Sequence, residues 1–269
     1  MISIIITTKN EESVIEDLLK SIKLQNYRDY EIILVDNNST DKTCEIAKKF
    51  GARVFTKGPE RSIQRNYGVE KAKGKYILIL DADMVLTKNV LLELSKIKEV
   101  AVIIPEKSFG EGFWVKFKIF EREFYVEDES IEAARFFKKD IFKEFEGYDT
   151  NMTGPEDYDL PLRMKKSGVK IGRIKNFILH NEKKFSPWKS AKKKYYYASR
   201  AYSYAKKHPE MIVSQGNLFL RPIFFRKWKK LLSHPFLSFG MFVVKGMEMM
   251  GALLGVLRFS IISQWEKES

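Results

Sequence analysis

The sequence has a single cysteine and no long uninterrupted apolar segment. Cys44 cannot form a disulfide within one chain, so a disulfide framework is excluded and we expect a reducing, cytoplasmic setting. The apolar opening, residues 1–6, is too short for the core of a signal peptide, and polar residues follow it at once. Two uncharged stretches, residues 231–244 and 249–257, are each shorter than the roughly 18–20 residues that span a bilayer.

Joined into one segment, these two stretches reach the length of a membrane span. Lys245 and Glu248 would then lie in lipid, although their spacing of three residues lets them pair on a helix. We therefore favour an interfacial or re-entrant pair of helices over residues 231–263. A true span and an ordinary buried helix stay open.

The positive charge of the chain is confined to one segment. The net charge is +13, yet residues 1–182 and residues 231–269 each sum to zero. Residues 183–230 carry 14 Lys and Arg against one acid, Glu210. Such a segment favours phosphate-bearing partners, namely anionic lipid, lipid-linked phosphate or nucleic acid. The alternative is a solvated helix surface without a partner.

The first 105 residues alternate between apolar strands and amphipathic helices. Strand patterns cover residues 2–7, 30–36, 53–56, 76–80 and 100–104, and helical patterns cover residues 12–24, 41–50, 63–72 and 90–97. The rhythm predicts an α/β fold with a mostly parallel sheet and helices on both faces. Ligands bind such sheets at the carboxyl ends of the strands, where residues 8–11, 36–38 and 81–83 place polar clusters.

Two of these clusters carry candidate chemistry. Asp81 and Asp83 form an Asp-x-Asp motif, whose carboxylates suit a hard divalent cation that bridges phosphates. Asp36 ends the second strand and could accept a hydrogen bond from a nucleotide base. The residues alone equally allow Asp36 to shape a turn and cap the next helix.

A third acidic cluster lies at the start of a predicted helix over residues 158–166. Glu156, Asp157 and Asp159 would be favourable there for the helix dipole alone. The functional interpretation makes one of them a general base for an attacking hydroxyl. Pro161 is compatible with this helix only if it lies in the first turn.

Five motifs in this order resemble family 2 glycosyltransferases of the GT-A fold, and the match extends through about residue 180. The motifs are Thr7-Thr8-Lys9-Asn10-Glu11, the run from Val35 to Thr43, Arg65-Asn66-Tyr67-Gly68, the run from Ala72 to Asp83, and Glu156-Asp157-Tyr158-Asp159-Leu160 with Arg163. Each motif is common by itself, whereas all five in order are specific.

The resemblance implies an inverting, hexosyltransferase-type enzyme that uses a nucleotide-diphosphate sugar and Mg²⁺ or Mn²⁺, with UDP-sugars favoured over GDP-sugars. By the same resemblance, Asp157 is the catalytic base with Glu156 beside it. The implied metal ligands are Asp83, Asp81 and His180. The residues implied to bind the nucleotide sugar are Thr8, Asn10, Glu11, Asp36, Asn38, Arg65, Asp81 and Ala82.

The sequence departs from the family pattern near the acidic motif and lacks one motif altogether. Pro155 and Pro161 bracket the acids, which leaves the path of that loop open. There is no Gln-x-x-Arg-Trp motif, which in processive members helps to hold the growing chain, so we expect one transfer per encounter.

These observations predict a catalytic domain over residues 1–182 and an extension over residues 183–269. The catalytic domain would have a nucleotide-binding half, residues 1–105, and an acceptor half, residues 106–182. The extension would be basic and apolar helices that associate with a membrane, peripherally or as an anchor, at the cytoplasmic face of the cell membrane. The expected acceptor is a polyprenyl phosphate or a lipid-linked glycan. Both carry negative charge and a long apolar chain, which would suit the basic and apolar helices of the extension.

Three other functions remain open from the sequence. The first is a glycosyltransferase with a soluble or protein acceptor. The second is a nucleotidyltransferase, which the absence of glycine from residues 7–12 argues against. The third is a nucleic-acid-binding protein that uses residues 183–230, where Tyr and Lys residues are interleaved. We favour the membrane enzyme and expect no nucleic-acid partner.

Overall fold

A computed structural model describes residues 1–128, 131–152, 154–198 and 221–268, and for residues 259–268 it describes the backbone only. The described chain divides into two compact units. The first unit comprises Met1–Lys107, Glu132–Thr150 and Glu156–Asn181. The second comprises Ser108–Ile131, Asn151–Pro155 and Glu182–Ser269. The predicted domain boundary between residues 182 and 183 stays a prediction.

The first unit is an α/β structure built on a seven-stranded sheet. Its elements are β1 (Ile2–Thr8), α1 (Ile15–Lys23), β2 (Tyr30–Asp36), α2 (Thr43–Lys49), β3 (Arg53–Thr56), α3 (Arg61–Lys71), β4 (Tyr76–Asp81), β5 (Met84–Leu86), α4 (Val90–Lys96), β6 (Ala101–Ile103), β8 (Ala134–Lys138), α6 (Lys139–Glu144), α7 (Glu156–Lys166), β9 (Ile171–Arg173) and β10 (Ile178–Asn181). A further strand, β7 (Glu106–Phe109), begins in this unit. The large sheet has the order β3-β2-β1-β4-β8-β6-β9, and a small sheet has the order β5-β10-β7.

The predicted fold class is confirmed, because the large sheet is mostly parallel with helices on both faces. Only β8 runs antiparallel to its neighbours, β4 and β6. Alternate side chains of β1 enter opposite layers: Ile4 packs in a core with α1 and α4, and Ile5 packs in a core with α3, α6 and α7. This two-sided burial explains why the central strands are apolar at most positions.

The strand register brings the polar strand ends to one level. β1 lies between β2 and β4; on one side Thr8 pairs with Asp36, and on the other Thr7 pairs with Asp81. Gln64 on α3 donates hydrogen bonds to the carbonyl oxygens of Thr8 and Val35, which ties that helix to the same edge. The edge therefore carries the polar clusters that the sequence predicts there.

The second unit is helical in its described part. Its helices are α5 (Val115–Tyr125), α8 (Pro187–Ala198), α9 (Pro222–Arg226), α10 (Trp228–Ser233) and α11 (Pro235–Glu268). A core of Phe120, Phe124, Ile223, Phe224 and Met241 joins α5, α9 and α11. The sequence also predicts a basic, Tyr-rich helix over residues 189–207; α8 covers its first part, and residues 199–207 lie outside the described residues.

Two local predictions are wrong. Residues 235–268 form one continuous helix and not a helical pair, because no proline or turn interrupts the segment and Lys245 pairs with Glu248 on the helix. The helix α7 begins at Glu156, so Pro161 lies beyond its first turn. Since proline has no N–H, the carbonyl of Asp157 loses its helical donor.

Candidate functional site

The first group of predicted site residues surrounds Asp36, which is buried at the end of β2. Oδ1 of Asp36 accepts hydrogen bonds from the hydroxyls of Thr8 at 2.8 Å and Ser39 at 2.5 Å. Oδ2 accepts the backbone N–H of Ser39 at 2.7 Å. These donors fix the orientation of the carboxylate, which a hydrogen-bonding contact with a base would require.

Hydrogen bonds from backbone N–H groups to side-chain oxygens join the loops after β1 and β2. The N–H of Asn10 donates to the Ser39 hydroxyl at 2.7 Å, and the Asn10 amide oxygen accepts the N–H of Thr40 at 2.8 Å. Glu11 donates its N–H to the Thr43 hydroxyl at 2.8 Å. The structure thus brings Thr8, Asn10, Glu11 and Asp36 together. Asn38, beside Asp36, has a φ of +52°, a conformation that asparagine tolerates better than most residues.

The second group is organised by Arg65, which α3 places in a fully buried position. Its Nη1 donates to Oδ1 of Asp157 at 2.5 Å and to Oε1 of Glu156 at 3.3 Å. Its Nη2 donates to Oδ1 of Asp81 at 2.9 Å. One guanidinium therefore joins the acidic motif of α7 to the Asp-x-Asp motif. The prediction that Arg65 binds the nucleotide stays a prediction.

The charges in this group shift one another's pKa values. Burial raises the pKa of Asp81, but Arg65 and Arg135 outweigh burial and hold that pKa well below its usual range. Burial, followed by the negative charge of Asp157, raises the pKa of Glu156. Asp81 is thus held ionised, whereas Glu156 takes up a proton more readily than an exposed glutamate.

A third group extends the charge network toward the predicted metal ligands. Oδ2 of Asp81 lies 3.7 Å from Arg135, whose Nε donates to Oε1 of Glu106 at 2.5 Å. Oε2 of Glu106 lies 3.6 Å from Nδ1 of His180, and Nε2 of His180 lies 3.4 Å from Oδ2 of Asp83. A continuous chain of polar contacts therefore links Asp157 to Asp83.

Two members of this network, Arg135 and Glu106, were missed from the sequence. Arg135 could have been recognised from the sequence, because it interrupts the apolar strand β8. A buried arginine needs acidic partners. No feature of the sequence singled out Glu106, since it follows Pro105, where the regular alternation of strand and helix patterns ends. Its partners Arg135 and His180 are distant in sequence and become neighbours only in the folded sheet.

The predicted metal ligands are only partly gathered. Among the described residues, no three His, Cys, Asp or Glu side chains form a group that could hold an ion. Asp83 and His180 do face each other, and a carboxylate with an imidazole is a donor set that fits Mn²⁺. The two oxygens of Asp81 face Arg65 and Arg135, so its role as a ligand stays a prediction.

Comparison with known proteins identifies the family to which this chain belongs. The model of glycosyl transferase family 2 matches residues 3–144. An uncharacterized glycosyltransferase of Methanocaldococcus jannaschii is 28% identical over 236 residues, which cover 77% of this chain and 81% of the relative. A PGL/p-HBAD biosynthesis glycosyltransferase of Mycobacterium bovis is 26% identical over 212 residues, which cover 69% and 77%.

Solved structures share the fold. The mannosyltransferase PcManGT from Pyrobaculum calidifontis, in complex with GDP-Man and Mn²⁺, superposes with a TM-score of 0.68 at 15% identity, covering 95% of this chain and 86% of that one. Staphylococcus aureus TarS 1–349, in complex with UDP-GlcNAc, gives a TM-score of 0.56 at 16% identity, covering 96% and 91%. Since the family model matches more than half of the sequence, the chain belongs to glycosyl transferase family 2.

Proposed function

We propose that the protein transfers a sugar with inversion from a nucleotide-diphosphate sugar to a lipid-phosphate or lipid-linked glycan acceptor at the cytoplasmic face of a membrane. The observation that carries the proposal is the shared contact of Arg65 with Asp157 and Asp81. Through this one guanidinium, the carboxylate of Asp157, the proposed base, is joined to that of Asp81 at the end of β4. In this proposal the nucleotide-diphosphate sugar binds next to these carboxylates, and the acceptor hydroxyl is activated at the same place.

In this proposal Asp157 is the catalytic base. It takes the proton of the acceptor hydroxyl as the hydroxyl oxygen attacks the anomeric carbon of the sugar. The bond from that carbon to the diphosphate breaks, and the nucleoside diphosphate leaves with its electron pair. The hydrogen bond from Arg65 orients the Asp157 carboxylate for this step. Glu156 shares the same guanidinium and supports that orientation.

The donor is held by the group around Asp36 in this proposal. Asp36 would accept a hydrogen bond from the base, while Thr8, Asn10, Glu11 and the loop at Asn38 surround the nucleoside. The two solved relatives contain one GDP-sugar and one UDP-sugar, so they leave the choice of base to experiment. We propose a UDP-sugar as the donor.

Asp83 and His180 are the residues that would hold Mg²⁺ or Mn²⁺, as their facing carboxylate and imidazole suggest. A bound cation supplies charge neutralisation at the diphosphate leaving group. Mn²⁺ is present in the solved complex of PcManGT, which supports a divalent ion here. Glu106, next to Nδ1 of His180, would orient the ring.

The test is a transfer assay with the full chain, radiolabelled UDP- and GDP-sugars, Mn²⁺, and polyprenyl phosphate in detergent. Asp157→Asn should lower the transfer rate by about 10²–10⁴-fold and leave donor affinity within about threefold, because only the proton acceptor is lost. The matched control is Asp140→Asn, an exposed aspartate on α6.

Several outcomes would overturn the proposal. Donor turnover that is undetectable with every sugar would remove the activity, and full transfer by Asp157→Asn would remove the assigned base. Transfer to soluble glycans or proteins but to no lipid phosphate would replace the acceptor. A gel shift with nucleic acid would instead favour the alternative role of residues 183–230.

A further inference from the structure

The helix α11 has two faces that differ sharply in exposure. Its inner face buries Ser238, Met241, Val244, Lys245 and Glu248. Its outer face carries large apolar side chains that are between 38% and 71% exposed, and we name them the outer stripe: Phe236, Phe239, Val243, Met250, Leu253 and Leu257. Their spacing of three, four or seven residues places them along one side of the helix.

The inner face already has its partners within the second unit. Lys245 Nζ lies 3.0 Å from Glu248 Oε2, and Lys118 Nζ on α5 lies 3.3 Å from Glu248 Oε1. Lys245 also contacts Glu121 on α5. A Cβ added at Gly251 would lie 2.2 Å from the Ala191 carbonyl oxygen, so α11 also packs closely on α8. Within the part of the chain that the structure describes, the outer stripe is therefore the exposed face of α11.

The exposed apolar surface continues from α11 onto the start of α5. The rings of Phe113 and Phe236 lie 6.4 Å apart, and Trp114 packs against Phe113 at 5.3 Å. Lys116 Nζ lies 5.7 Å from the centre of the Phe236 ring, at one end of the stripe. Arg258 lies exposed at its other end. Aromatic rings and basic groups flanking an apolar stripe are suited to the headgroup region of an anionic membrane.

We infer that the second unit docks on anionic lipid through the outer stripe, with α11 lying in the plane of the interface in one leaflet. The inference rests on the proposed function, because a lipid-linked acceptor brings the enzyme to a membrane. The charge of +13 over residues 183–230 would add to the attraction between the chain and an anionic membrane.

Length alone would allow α11 to cross a bilayer instead, since Pro235–Arg258 is long and apolar enough for a span. Crossing would carry Lys245 and Glu248 into hydrocarbon. It would either break their contacts with α5 or bring Lys118 and Glu121 along. In-plane docking keeps these four side chains in their ion pairs within the second unit.

The first test is co-flotation of the full chain with vesicles of phosphatidylcholine and phosphatidylglycerol at 7:3. Leu253→Asp should weaken vesicle binding by about tenfold or more, because a charge replaces an apolar contact. The matched control is Leu24→Asp, at a 70% exposed leucine of the first unit, and it should bind like the unchanged protein. Equal binding by Leu253→Asp and by the unchanged protein would overturn the inference.

The second test measures orientation in a Cys44→Ser background. Ser233→Cys and Arg258→Cys place thiols just before α11 and at the far end of the stripe. A membrane-impermeant maleimide added outside sealed vesicles should label both variants to the same extent. Labelling of only one until detergent is added would show a span and overturn in-plane docking.

The transfer assay separates this inference from the proposed function. Leu253→Asp should keep donor hydrolysis within about twofold while its vesicle binding falls, because Leu253 belongs to the second unit and the proposed catalytic groups belong to the first. Full transfer without vesicle binding by the unchanged protein would overturn the docking and leave the transferase standing. Vesicle binding without turnover of any donor would overturn the transferase and leave the docking standing.

Discussion

Arg65 Nη1 lies 2.5 Å from Oδ1 of Asp157, although 92 residues separate the two along the chain. The Nη2 nitrogen of the same side chain lies 2.9 Å from Asp81. The rigid fork of the guanidinium therefore sets the spacing between α7 and the end of β4. The proposed base and the Asp-x-Asp motif are positioned by one residue of α3.

Replacement of Arg65 should cost both stability and activity. Arg65→Met leaves three carboxylates without their shared cation, and we expect a loss of about 3–5 kcal/mol in the free energy of unfolding. Arg65→Lys keeps the charge but lacks the fork, so its loss should be smaller. Urea unfolding followed by circular dichroism measures both. Arg28→Met, at an exposed arginine, is the control, and a similar loss there would contradict a specific role for Arg65.

Asp36→Asn should weaken nucleotide binding by about tenfold or more. The asparagine amide has the shape of the carboxylate but lacks its charge. Its NH₂ group would face the hydrogen-bond donors of Thr8 or Ser39, so at least one of these hydrogen bonds would be lost. Isothermal titration with UDP and GDP measures the change, with Asp140→Asn as the exposed control. Unchanged affinity for both nucleotides would remove Asp36 from the proposed donor site.

Metal affinity should depend on Asp83 and His180 more than on Asp81. We expect Asp83→Ala and His180→Ala each to lower Mn²⁺ affinity in the presence of UDP by more than the roughly 10–100-fold that the loss of an outer-shell partner costs, because each removes a donor atom. Electron paramagnetic resonance of free Mn²⁺ measures binding without an activity readout. Glu106→Gln should show a smaller loss, since it acts through the ring of His180. Mn²⁺ affinity that is lost only in Asp81→Ala would contradict this assignment.

The second unit should lose stability in acid through Glu248. Burial raises the pKa of Glu248, but Lys118 and Lys245 outweigh burial and lower it to about 2. Because this folded pKa lies below the unfolded value, the contribution is full above about pH 4.5 and disappears as the pH falls toward 2. We expect it to be on the order of 3 kcal/mol.

The measurement is the free energy of unfolding between pH 6 and pH 2.5, compared with Glu248→Gln. The variant should be less stable at pH 6 and should show a shallower loss toward acid. Glu123→Gln on α5 is the matched control, because Glu123 is largely exposed and pairs only with Lys230 among the contacts of the described residues. Parallel curves for Glu248→Gln and the unchanged protein would contradict the prediction.

Local sequence patterns predicted the secondary structure correctly where the burial of an element is regular along the chain. The strands β1, β2 and β4 were predicted within about one residue, because a strand buried on both faces is apolar at most positions. The polar residues after them were placed at one sheet edge by the same reasoning. The helix over residues 156–166 was misplaced at its start, because the acids that suggest a helix N-terminus lie inside α7 itself.

Ion pairs between residues that are distant in sequence could not be predicted from local patterns. Glu106 and Arg135 become neighbours of His180 and Asp81 only when β7, β8 and β10 fold into their sheets. Lys245 and Glu248 were expected to pair with each other, but their contacts with Lys118 and Glu121 depend on how α5 packs on α11.

The sequence by itself determined the alternation of strands and helices, the positions of the motifs and the confinement of charge to residues 183–230. Periodicity and composition are local properties that a single chain displays directly. Only the tertiary structure decided which carboxylate Arg65 and Arg135 neutralise and which face of α11 is covered by protein. Those contacts join residues far apart in sequence, and their energy depends on burial and distance that no local pattern encodes.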